Sequence, residues 1–391
     1  MPLGLYVSVP FCRTKCSFCN FASDVFSRAL FERYVERVKV GMKNARQLAE
    51  EMKAPFDPHV DSIYFGGGTP TVLDTTQLES LFVTIRQNFV VDENVEFTVE
   101  CAPGTLTPEI LQVFQRQGVN RVSLGVQSFV DQEAAAVGRL HKRSTVLDDL
   151  ARLRDAGLSN IGVDLIAGLP HQTSESWRFS LEETIASGVP HVSVYMLEVD
   201  DESRLGRELI AGGTRYHAHF VPDDDSTTQF YETACEQLDA AGINQYEISN
   251  FARQGFQSQH NLKYWTRQPY LGFGVDAHSM LTIDRERAVR FSTPDSLEHF
   301  TTGERGSLAE VSKQEALEES LFLGLRLMCG VNLHELEAQY GSLSTFEAGV
   351  EESVRDGLLE RDGSFVRLTK RGKLLSNDVF ARFISLPVPG I

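Results

Sequence analysis

The chain has 391 residues, of which 42% are hydrophobic and 23% charged, and its formal net charge is −17 at pH 7. This composition is typical of a globular protein, and the length predicts one large domain together with a smaller one. The sequence contains no apolar run of the ~20 residues that a membrane-spanning helix needs, and so acidic a chain is not expected to bind nucleic acid through a general basic face.

The first element is an apolar run over residues 3–9, which predicts a strand and leads directly into three closely spaced cysteines. Cys12, Cys16 and Cys19 stand in the pattern CxxxCxxC. A structural zinc site almost always uses four protein ligands, and a 4Fe–4S cluster usually takes four cysteines. Three cysteines therefore favour a cluster in which one iron stays open to an outside ligand. The alternatives are a zinc site with a remote fourth ligand, or three cysteines without a shared role.

The cysteine content also bears on the compartment. The chain has six cysteines, and the other three are scattered at Cys101, Cys235 and Cys329. Three clustered and three scattered cysteines indicate a metal site in a reducing environment rather than a disulfide framework. Cys12 follows so soon after Met1 that we expect no signal or transit peptide. We therefore expect a cytoplasmic protein.

The next elements alternate between helix and strand. Apolar residues at helical spacing predict a first helix that contains Phe31, Tyr34, Val38 and Met42. The elements predicted after it are a strand over residues 62–65 that ends in the run Gly66-Gly67-Gly68-Thr69-Pro70, a helix over 76–87, a strand over 96–100, and a helix capped at Thr107-Pro108 and ended by Gly118. Glycines at the end of a strand let the backbone approach a ligand closely, although a tight turn without a ligand is the alternative.

From Gly118 onwards one unit recurs, in which a helix ends at a glycine and a short strand follows. These strands are predicted over residues 121–125, 160–164, 191–195 and 245–248. Alternating strands and helices predict a parallel sheet with right-handed crossovers, and about six such units would curl into a full or partial barrel. The predicted fold class is therefore α/β, with a partial (β/α)6 barrel of the TIM type.

In a barrel of this kind, ligands bind at the carboxyl ends of the strands. The conspicuous polar features of the sequence fall at those ends: the cysteine loop, the glycine run, Glu100, Gln127 and Asp164. Because the strand ends of one barrel meet at the same place, this coincidence predicts a single shared active site.

The character of the sequence changes near Ser312. We assign residues 1–305 to the barrel, with an extension from about residue 200, and residues 306–391 to a small domain. Ser312 and Glu315 can form a capping box that begins a helix. Two further helices and then a hairpin with an Asp-Gly turn are predicted over residues 333–340, 346–356 and 358–369. This order predicts a winged-helix-like domain.

A winged helix can bind DNA, and this one carries a local basic cluster. The cluster consists of Arg367, Lys370, Arg371 and Lys373. The negative charge of the whole chain argues against DNA binding, because a nucleic-acid site needs a basic face. A lid or a partner-docking module is therefore the favoured role of this domain.

The motifs taken together resemble a known family. The CxxxCxxC pattern resembles the signature of the radical S-adenosylmethionine (SAM) enzymes, in which SAM chelates the open iron of a 4Fe–4S cluster, and the glycine run resembles their segment that holds the methionine amino group. Over nearly the whole chain, further segments resemble the family that contains oxygen-independent coproporphyrinogen III dehydrogenase and the HemW-type heme chaperones. These segments are LYVSVPFC, FGGGTPT, RVSLGVQSF, GRLH, GVDLIAGLP, YEISNFA and HNLKYW.

The resemblance implies a role for individual residues. Cys12, Cys16 and Cys19 would hold the 4Fe–4S cluster. Contacts to the cluster-bound SAM are implied for Tyr6, Phe18, Gly67 and Glu100. Positions that bind a second SAM in the dehydrogenase branch match Gly68, Thr69, Gln127, Arg139 and Asp164. The residue types fit, because a carboxylate can hold a ribose diol or an ammonium group, and the planar guanidinium of an arginine can hold a carboxylate. Ordinary ion pairing at the mouth of a barrel is the alternative for each of them.

Departures from the dehydrogenase pattern point to the chaperone branch. The dehydrogenase has a further cysteine where this chain has Phe21, and it has an N-terminal arm that we do not expect here. The segment HNLKYW, which begins at His260, resembles a motif associated with heme in the chaperones. An imidazole is a common axial ligand of heme iron, so His260 is the candidate heme ligand. His278 is a second candidate, and a histidine that caps a turn beside buried aromatic residues is the alternative for His260.

The resemblance therefore implies a heme chaperone with a 4Fe–4S cluster, SAM and heme as cofactors. Its partners would be heme, an acceptor protein of unknown identity (a respiratory protein is one option) and a reductant such as a flavodoxin-like donor, with neither nucleic acid nor a transmembrane segment. The alternative is a radical enzyme that decarboxylates coproporphyrinogen III, and a third option is a DNA-binding regulator that uses the cluster as a sensor. No catalytic residue is assigned, and whether the chain is an enzyme stays open at this point.

Overall fold

The computed structural model describes residues 1–384 and contains two β-sheets with helices packed around them. The strands are β1 Leu3–Val9, β2 His59–Gly67, β3 Val90–Cys101, β4 Arg121–Gln127, β5 Asn160–Ala167, β6 His191–Met196, β7 Asn244–Glu247, β8 Asn250–Ala252, β9 Tyr270–Gly274, β10 His278–Thr282, β11 Ala288–Ser292, β12 Leu308–Val311, β13 Val331–Asn332, β14 Leu359–Asp362 and β15 Phe365–Leu368.

Helices connect most of these strands, and most of the helices that follow the central strands pack on the outer face of the large sheet. They are α1 Arg28–Lys43, α2 Ala45–Glu51, α3 Thr75–Asn88, α4 Pro108–Gln117, α5 Asp131–Ala136, α6 Arg143–Asp155, α7 Ser174–Ala186, α8 Arg204–Ala211, α9 Asp224–Ala240, α10 Gln259–Trp265, α11 Leu297–Thr302, α12 Lys313–Gly324, α13 Leu333–Tyr340, α14 Ser344–Arg355, α15 Lys370–Leu374 and α16 Ser376–Ala381. Within residues 1–384, no helix combines the length and the apolar character that a membrane span needs.

Six parallel strands form the centre of the large sheet and lie side by side in chain order, from β1 to β6. Chain-order winding is the pattern of a TIM-type barrel, whereas a doubly wound sheet reverses its strand order. The twelve strands run in the order β12-β11-β10-β9-β1-β2-β3-β4-β5-β6-β8-β7, so the sheet of the described residues does not close on itself. The prediction of a partial barrel is confirmed.

The strand predicted over residues 245–248 is not a further parallel unit. β7 forms an antiparallel hairpin with β8, and β8 is antiparallel to β6. Only two residues separate β7 from β8, and a connection that short can join antiparallel strands but not parallel ones. At the other edge of the barrel, β9 pairs in parallel with β1, a pairing that the sequence pattern did not predict.

The central strands alternate between two kinds of side chain. In β1, Leu5, Val7 and Val9 are fully buried against the helices, and in β4 the apolar residues at positions 122, 124 and 126 are buried in the same way. The intervening positions carry tyrosine, serine, glycine, arginine or carboxylate side chains. Because successive side chains of a strand point to opposite faces, these polar positions all line the inner, concave face of the sheet.

The C-terminal part has its own core. The capping box of Ser312 and Glu315 is present at the start of α12, and the hairpin β14–β15 turns at Asp362-Gly363 and pairs with β13 in a three-stranded sheet. A second hydrophobic core extends from α12 to Phe383 and includes Met280 of the large sheet. Residues 308–311, which the predicted boundary placed in the small domain, form the edge strand β12 of the large sheet.

The basic residues of the hairpin region make contacts within the chain. Arg367 pairs with Glu360 and Asp362 of the neighbouring strand. Lys373 donates a hydrogen bond of 2.6 Å to Gln245, so this lysine connects the small domain to the edge of the large sheet.

Candidate functional site

The three predicted cluster cysteines lie in a loop at the carboxyl end of β1. The loop closes on itself because the backbone of Cys12 donates to the carbonyl of Asp24 and that of Asp24 to the carbonyl of Pro10. Two outside segments hold it: Ser17 bonds to Val137 and to Leu205 through the backbone. The loop is therefore fixed by the segment that follows α5 and by α8 as well as by its own strand.

Electrostatics in this loop disfavour thiolates that lack a cation. Burial raises the pKa of the Cys12 thiol, and the charges of Cys19 and Cys16 raise it further. Burial also raises the pKa of Cys16, although the nearby Arg139 opposes this effect. Bound iron supplies the positive charge that makes deprotonation favourable. The donor set of three adjacent thiols therefore fits a cluster.

The structure does not bring these sulfurs to a single point. Within residues 1–384, no three His, Cys, Asp or Glu side chains are arranged as ligands of one metal ion. A 4Fe–4S cluster does not require such an arrangement, because each thiolate binds a different iron atom.

The glycine run at the end of β2 packs directly against the cysteine loop. The backbone N–H groups of Gly68 and Thr69 donate to the carbonyls of Val9 and Phe11 at 2.8 and 2.7 Å. A β-carbon on Gly68 would lie 2.7 Å from the Val9 carbonyl oxygen and 3.1 Å from Cys12 Sγ. Only glycine permits this approach, and it brings Thr69 Oγ1 to 3.8 Å from Cys12 Sγ.

Tyr6, Gly67 and Glu100 meet on the inner face of the sheet, next to the cysteine loop. A β-carbon on Gly67, whose φ is +93°, would lie 3.4 Å from the Tyr6 hydroxyl. Glu100 accepts a hydrogen bond of 2.7 Å from the hydroxyl of Tyr64, and the Tyr64 ring lies 6.1 Å from that of Tyr6. Three of the four residues predicted to contact the cluster-bound SAM therefore lie close together in one cluster on the inner face.

Glu100 is the group of this inner-face cluster whose pKa lies near neutral pH. Burial raises its pKa to about 7, and the Asp164 carboxylate adds to the rise, while hydrogen bonds from Tyr64 and from the backbone of Gly67 oppose it. A carboxyl group with such a pKa is present in both protonation states near neutral pH. The positive charge of SAM would favour the ionised form.

Gln127 and Asp164 lie on the neighbouring strands β4 and β5, and Arg139 lies in the loop after α5. The Gln127 amide and the Arg139 guanidinium both lie over Gly125, where a β-carbon would come within 3.2 and 3.3 Å of them. Gln127 has a φ of +68°, a backbone conformation that non-glycine residues adopt rarely and that concentrates at functional sites. Burial raises the pKa of Asp164, and the charge of Arg139 is among the groups that lower it.

Phe18 lies apart from Tyr6 and Glu100. Its ring packs against Val137, Ile166 and Leu169, which form a small hydrophobic core behind the cysteine loop. A cavity of about 50 Å³ lies beside the loop and is lined by Arg13, Thr14, Thr69, Ala102, Pro103, Thr105, Arg139, Leu140 and His141.

Three inner-face residues of this site were not among the predicted site residues. Tyr64 holds Glu100, and Ser123 donates to both oxygens of Asp164 at 3.0 Å. Arg121 is 2% exposed, its Nε has no hydrogen-bond partner within residues 1–384, and its charge lowers the pKa values of Glu100 and Asp164. The signal that could have found them is the alternation along β2 and β4, because positions 64, 121 and 123 share the inner face with glycines 66 and 125.

His260 lies at the other end of the strands, inside α10, and is 1% exposed. Its Nδ1 is 3.0 Å from Ser62 Oγ and its Nε2 is 2.8 Å from the Tyr264 hydroxyl, so both ring nitrogens have partners. The ring stacks on Tyr64 with a centroid distance of 5.3 Å, and burial lowers its pKa to about 3. To bind an iron atom, His260 would have to give up one of these hydrogen bonds. His278, in contrast, is exposed and 3.7 Å from Asp276.

Comparison with known proteins identifies the family of this chain. A family model described as the radical SAM superfamily matches residues 6–184, and one described as the HemN C-terminal domain matches residues 311–375. Curated relatives match the chain over nearly its whole length. The heme chaperone HemW of Bacillus subtilis is 34% identical over 97% of this chain and 98% of its own length. The heme chaperone HemW of Lactococcus lactis is 32% identical over 98% of this chain and 97% of its own length.

Among solved structures, the coproporphyrinogen III oxidase HemN of Escherichia coli, described as a radical SAM enzyme, is similar. The TM-score is 0.82 with 22% sequence identity, over 98% of this chain and 90% of that chain. This similarity concerns the fold.

Proposed function

We propose, from the premise that the chain belongs to the HemW family within the radical SAM superfamily, that it is a heme chaperone, which binds heme and passes it to an acceptor protein. The observation that carries the proposal is the 34% identity to a heme chaperone over 97% of the chain. The family also implies a 4Fe–4S cluster and SAM, and the thiols of the cysteine loop and the polar residues beside it are of the types that could bind them.

Cys12, Cys16 and Cys19 would hold the cluster, and the inner-face residues beside the loop would hold SAM. When bound, the cluster supplies single electrons and one iron with an open ligand position. The chain fixes the loop through β1, the segment after α5, and α8, and the glycine run keeps the loop close to the pocket. Glu100 would hold the ammonium group or the ribose diol of SAM, and Tyr64 orients that carboxylate through its hydroxyl.

Gln127, Arg139 and Asp164 would hold polar groups of SAM, or of a second SAM molecule, at the neighbouring strand ends. The amide and the guanidinium lie side by side over Gly125, so together they offer several donors to one carboxylate. Ser123 fixes Asp164 by bonding to both of its oxygens. Thr69 would contribute its hydroxyl group, Gly68 keeps the glycine run against the cysteine loop, and Phe18 would support that loop from the small hydrophobic core behind it.

A spectroscopic experiment tests the cluster. Protein reconstituted with iron and sulfide without air is expected to hold about four irons per chain and to lose the cluster absorption in Cys12→Ser, Cys16→Ser and Cys19→Ser. Cys329→Ser, a change at an exposed cysteine outside the loop, is the matched control. Loss in the control as well, or retention in all three variants, would contradict the assignment.

Heme titration and transfer test the chaperone function. The reconstituted protein is expected to shift the Soret band of added heme and to yield that heme to a heme-free acceptor. His260→Ala and His278→Ala then test the two candidate axial ligands. A wild-type protein that leaves the spectrum of heme unchanged would overturn the proposal.

The second candidate function is oxidative decarboxylation of coproporphyrinogen III, which the fold shared with HemN favours. Against it, the position of the dehydrogenase's further cysteine is taken by Phe21, which is 64% exposed. Anaerobic incubation with coproporphyrinogen III, SAM and a reductant separates the two. We expect no protoporphyrinogen, and sustained turnover would replace the chaperone proposal with the enzymatic one.

A further inference from the structure

A cavity of about 1170 Å³ lies between the large sheet and the small C-terminal domain. Met1 lines it just before β1, and residues 265–268 line it just before β9, which runs parallel to β1. The cavity is therefore at the amino ends of the parallel strands, whereas the cysteine loop is at their carboxyl ends. Ligand sites are typically clefts of roughly 300–1,000 Å³ and are frequent between domains, so this cavity has room for a large ligand.

Apolar and polar side chains both line the cavity. Met280, Leu336 and Tyr340 are buried side chains of the wall, and the Trp265 ring completes it. Arg326 covers one face of the indole, with its guanidinium carbon 4.3 Å from the ring centroid. Nε1 of Trp265 is buried and has no hydrogen-bond partner within residues 1–384.

Polar contacts hold the two walls together around the cavity. Arg267 donates to Glu319 at 2.7 Å and to the Tyr340 hydroxyl at 3.1 Å, which ties the end of α10 to α12 and α13. At the rim, Gln339 donates to the carbonyl oxygen of Arg285 at 2.9 Å. The cavity is thus bounded by fixed elements of both domains.

One arginine at the rim is available to an anionic group. Asp284 pairs with Arg287 and Glu286 with Lys313, whereas Glu335 accepts a hydrogen bond from the neutral amide of Asn332 and keeps its negative charge. Arg285 is exposed at the rim, and its guanidinium makes no ion pair with the described residues.

We propose that this cavity is the heme site, a proposal that rests on the chaperone function. The macrocycle would lie between Trp265 and the apolar wall of Met280 and Leu336, and its carboxylates would pair with Arg285 at the rim. A flat apolar ring with two carboxylates at one edge matches a cavity with an aromatic wall and a guanidinium at its mouth.

The same arrangement gives the HNLKYW segment a defined role. Ser258 and the N–H groups of Gln259 and His260 all donate to Glu96 of β3, so the start of α10 is fixed to the inner face of the sheet. His260 bonds to Tyr264, the residue before Trp265. His260 is therefore a positioning residue for the cavity wall, because it fixes the end of α10 that carries the indole.

Heme titration of the full-length, anaerobically reconstituted protein tests the site. Arg285→Glu reverses the charge at the rim, and Ala338→Trp fills the cavity from an exposed position of α13. We expect each change to weaken heme binding roughly tenfold or more, because each removes a charged pair or occupies the site. The controls are Arg178→Glu and Ala348→Trp, which make the same exchanges at exposed positions outside the cavity lining and are expected to bind heme as the wild type does.

The outcomes distinguish a failure of the cavity proposal from a failure of the chaperone proposal on which it rests. Weaker binding in both cavity variants and not in the controls supports the cavity. Heme binding by the wild type that neither variant weakens overturns the cavity and leaves the chaperone function standing. Absence of heme binding by the wild type overturns the chaperone function and the heme site with it.

Discussion

The raised pKa of Glu100 makes a prediction about stability that does not require any ligand. In the folded chain the pKa is about 7, and the ordinary value of a glutamate is 4.5. Between these two values the folded state binds more protons than the unfolded state, so the free energy of unfolding falls as the pH rises. Glu100→Gln removes this titration and keeps an oxygen that can accept the hydrogen bond from Tyr64.

The size of the effect follows from the shift. One pKa unit corresponds to about 1.4 kcal/mol, and a shift of 7 − 4.5 = 2.5 units sets an upper limit of about 3 kcal/mol. Between about pH 5 and about pH 8, we expect the free energy of unfolding of Glu100→Gln to rise by roughly 2 kcal/mol relative to the wild type, after allowance for partial exposure of the carboxyl.

Urea denaturation of both proteins at several pH values, without iron and without SAM, measures this difference. Glu79→Gln is the matched control: Glu79 is half-buried, and the hydrogen bonds that it accepts from Arg116 and Gln117 lower its pKa, so it stays ionised throughout the range. We expect no pH trend in that control. A difference between Glu100→Gln and the wild type that stays constant from about pH 5 to about pH 8 would refute the reasoning.

Three further changes test other parts of the site. Gly67→Ala is expected to weaken SAM binding roughly tenfold, because it adds a β-carbon 2.9 Å from Ser8 Oγ at a φ of +93°. The control is Gly157→Ala, which has a φ of +84° but no atom near the added β-carbon. We expect that control to lose only about 1 kcal/mol of folding stability through backbone strain. Arg121→Met is expected to raise the pKa of Glu100, and carbon-13 NMR of the glutamate carboxyls measures it. Glu96→Gln leaves the donors at the start of α10 with one acceptor oxygen fewer. We expect it to lower the free energy of unfolding, measured by denaturation, by roughly 1–3 kcal/mol and to weaken heme binding.

Much of the barrel could be predicted from the sequence because its signals are local. The left-handed glycine after α4 and the proline that begins that helix define its ends by backbone conformation alone. Strands of one parallel sheet end at the same edge, so the order of the elements was enough to place the cysteine loop beside the glycine run. Their contact through Gly68 is confirmed by the distances.

The missed features depend on pairing between distant segments. No local signal distinguishes the hairpin β7–β8 from another parallel unit, because both begin after a helix that ends at a glycine, and the pairing of β9 with β1 joins residues far apart in the sequence. Arg121 resembles an ordinary charged residue at the start of a strand. Its importance comes from its burial on the inner face, where the neighbouring carboxylates are brought by other strands.

His260 shows why a motif does not by itself reveal the role of its histidine. If His260 ligates iron, removing the Tyr264 hydroxyl frees Nε2 and should not weaken heme binding. If His260 instead positions Trp265 through its 2.8 Å contact with that hydroxyl, Tyr264→Phe should weaken binding by roughly threefold to tenfold, which is the value of one hydrogen bond of about 1 kcal/mol. Heme titration of Tyr264→Phe beside His260→Ala therefore separates the two roles. A His260→Ala protein that loses heme while Tyr264→Phe binds it as tightly as the wild type would make the imidazole the ligand and would contradict the positioning role.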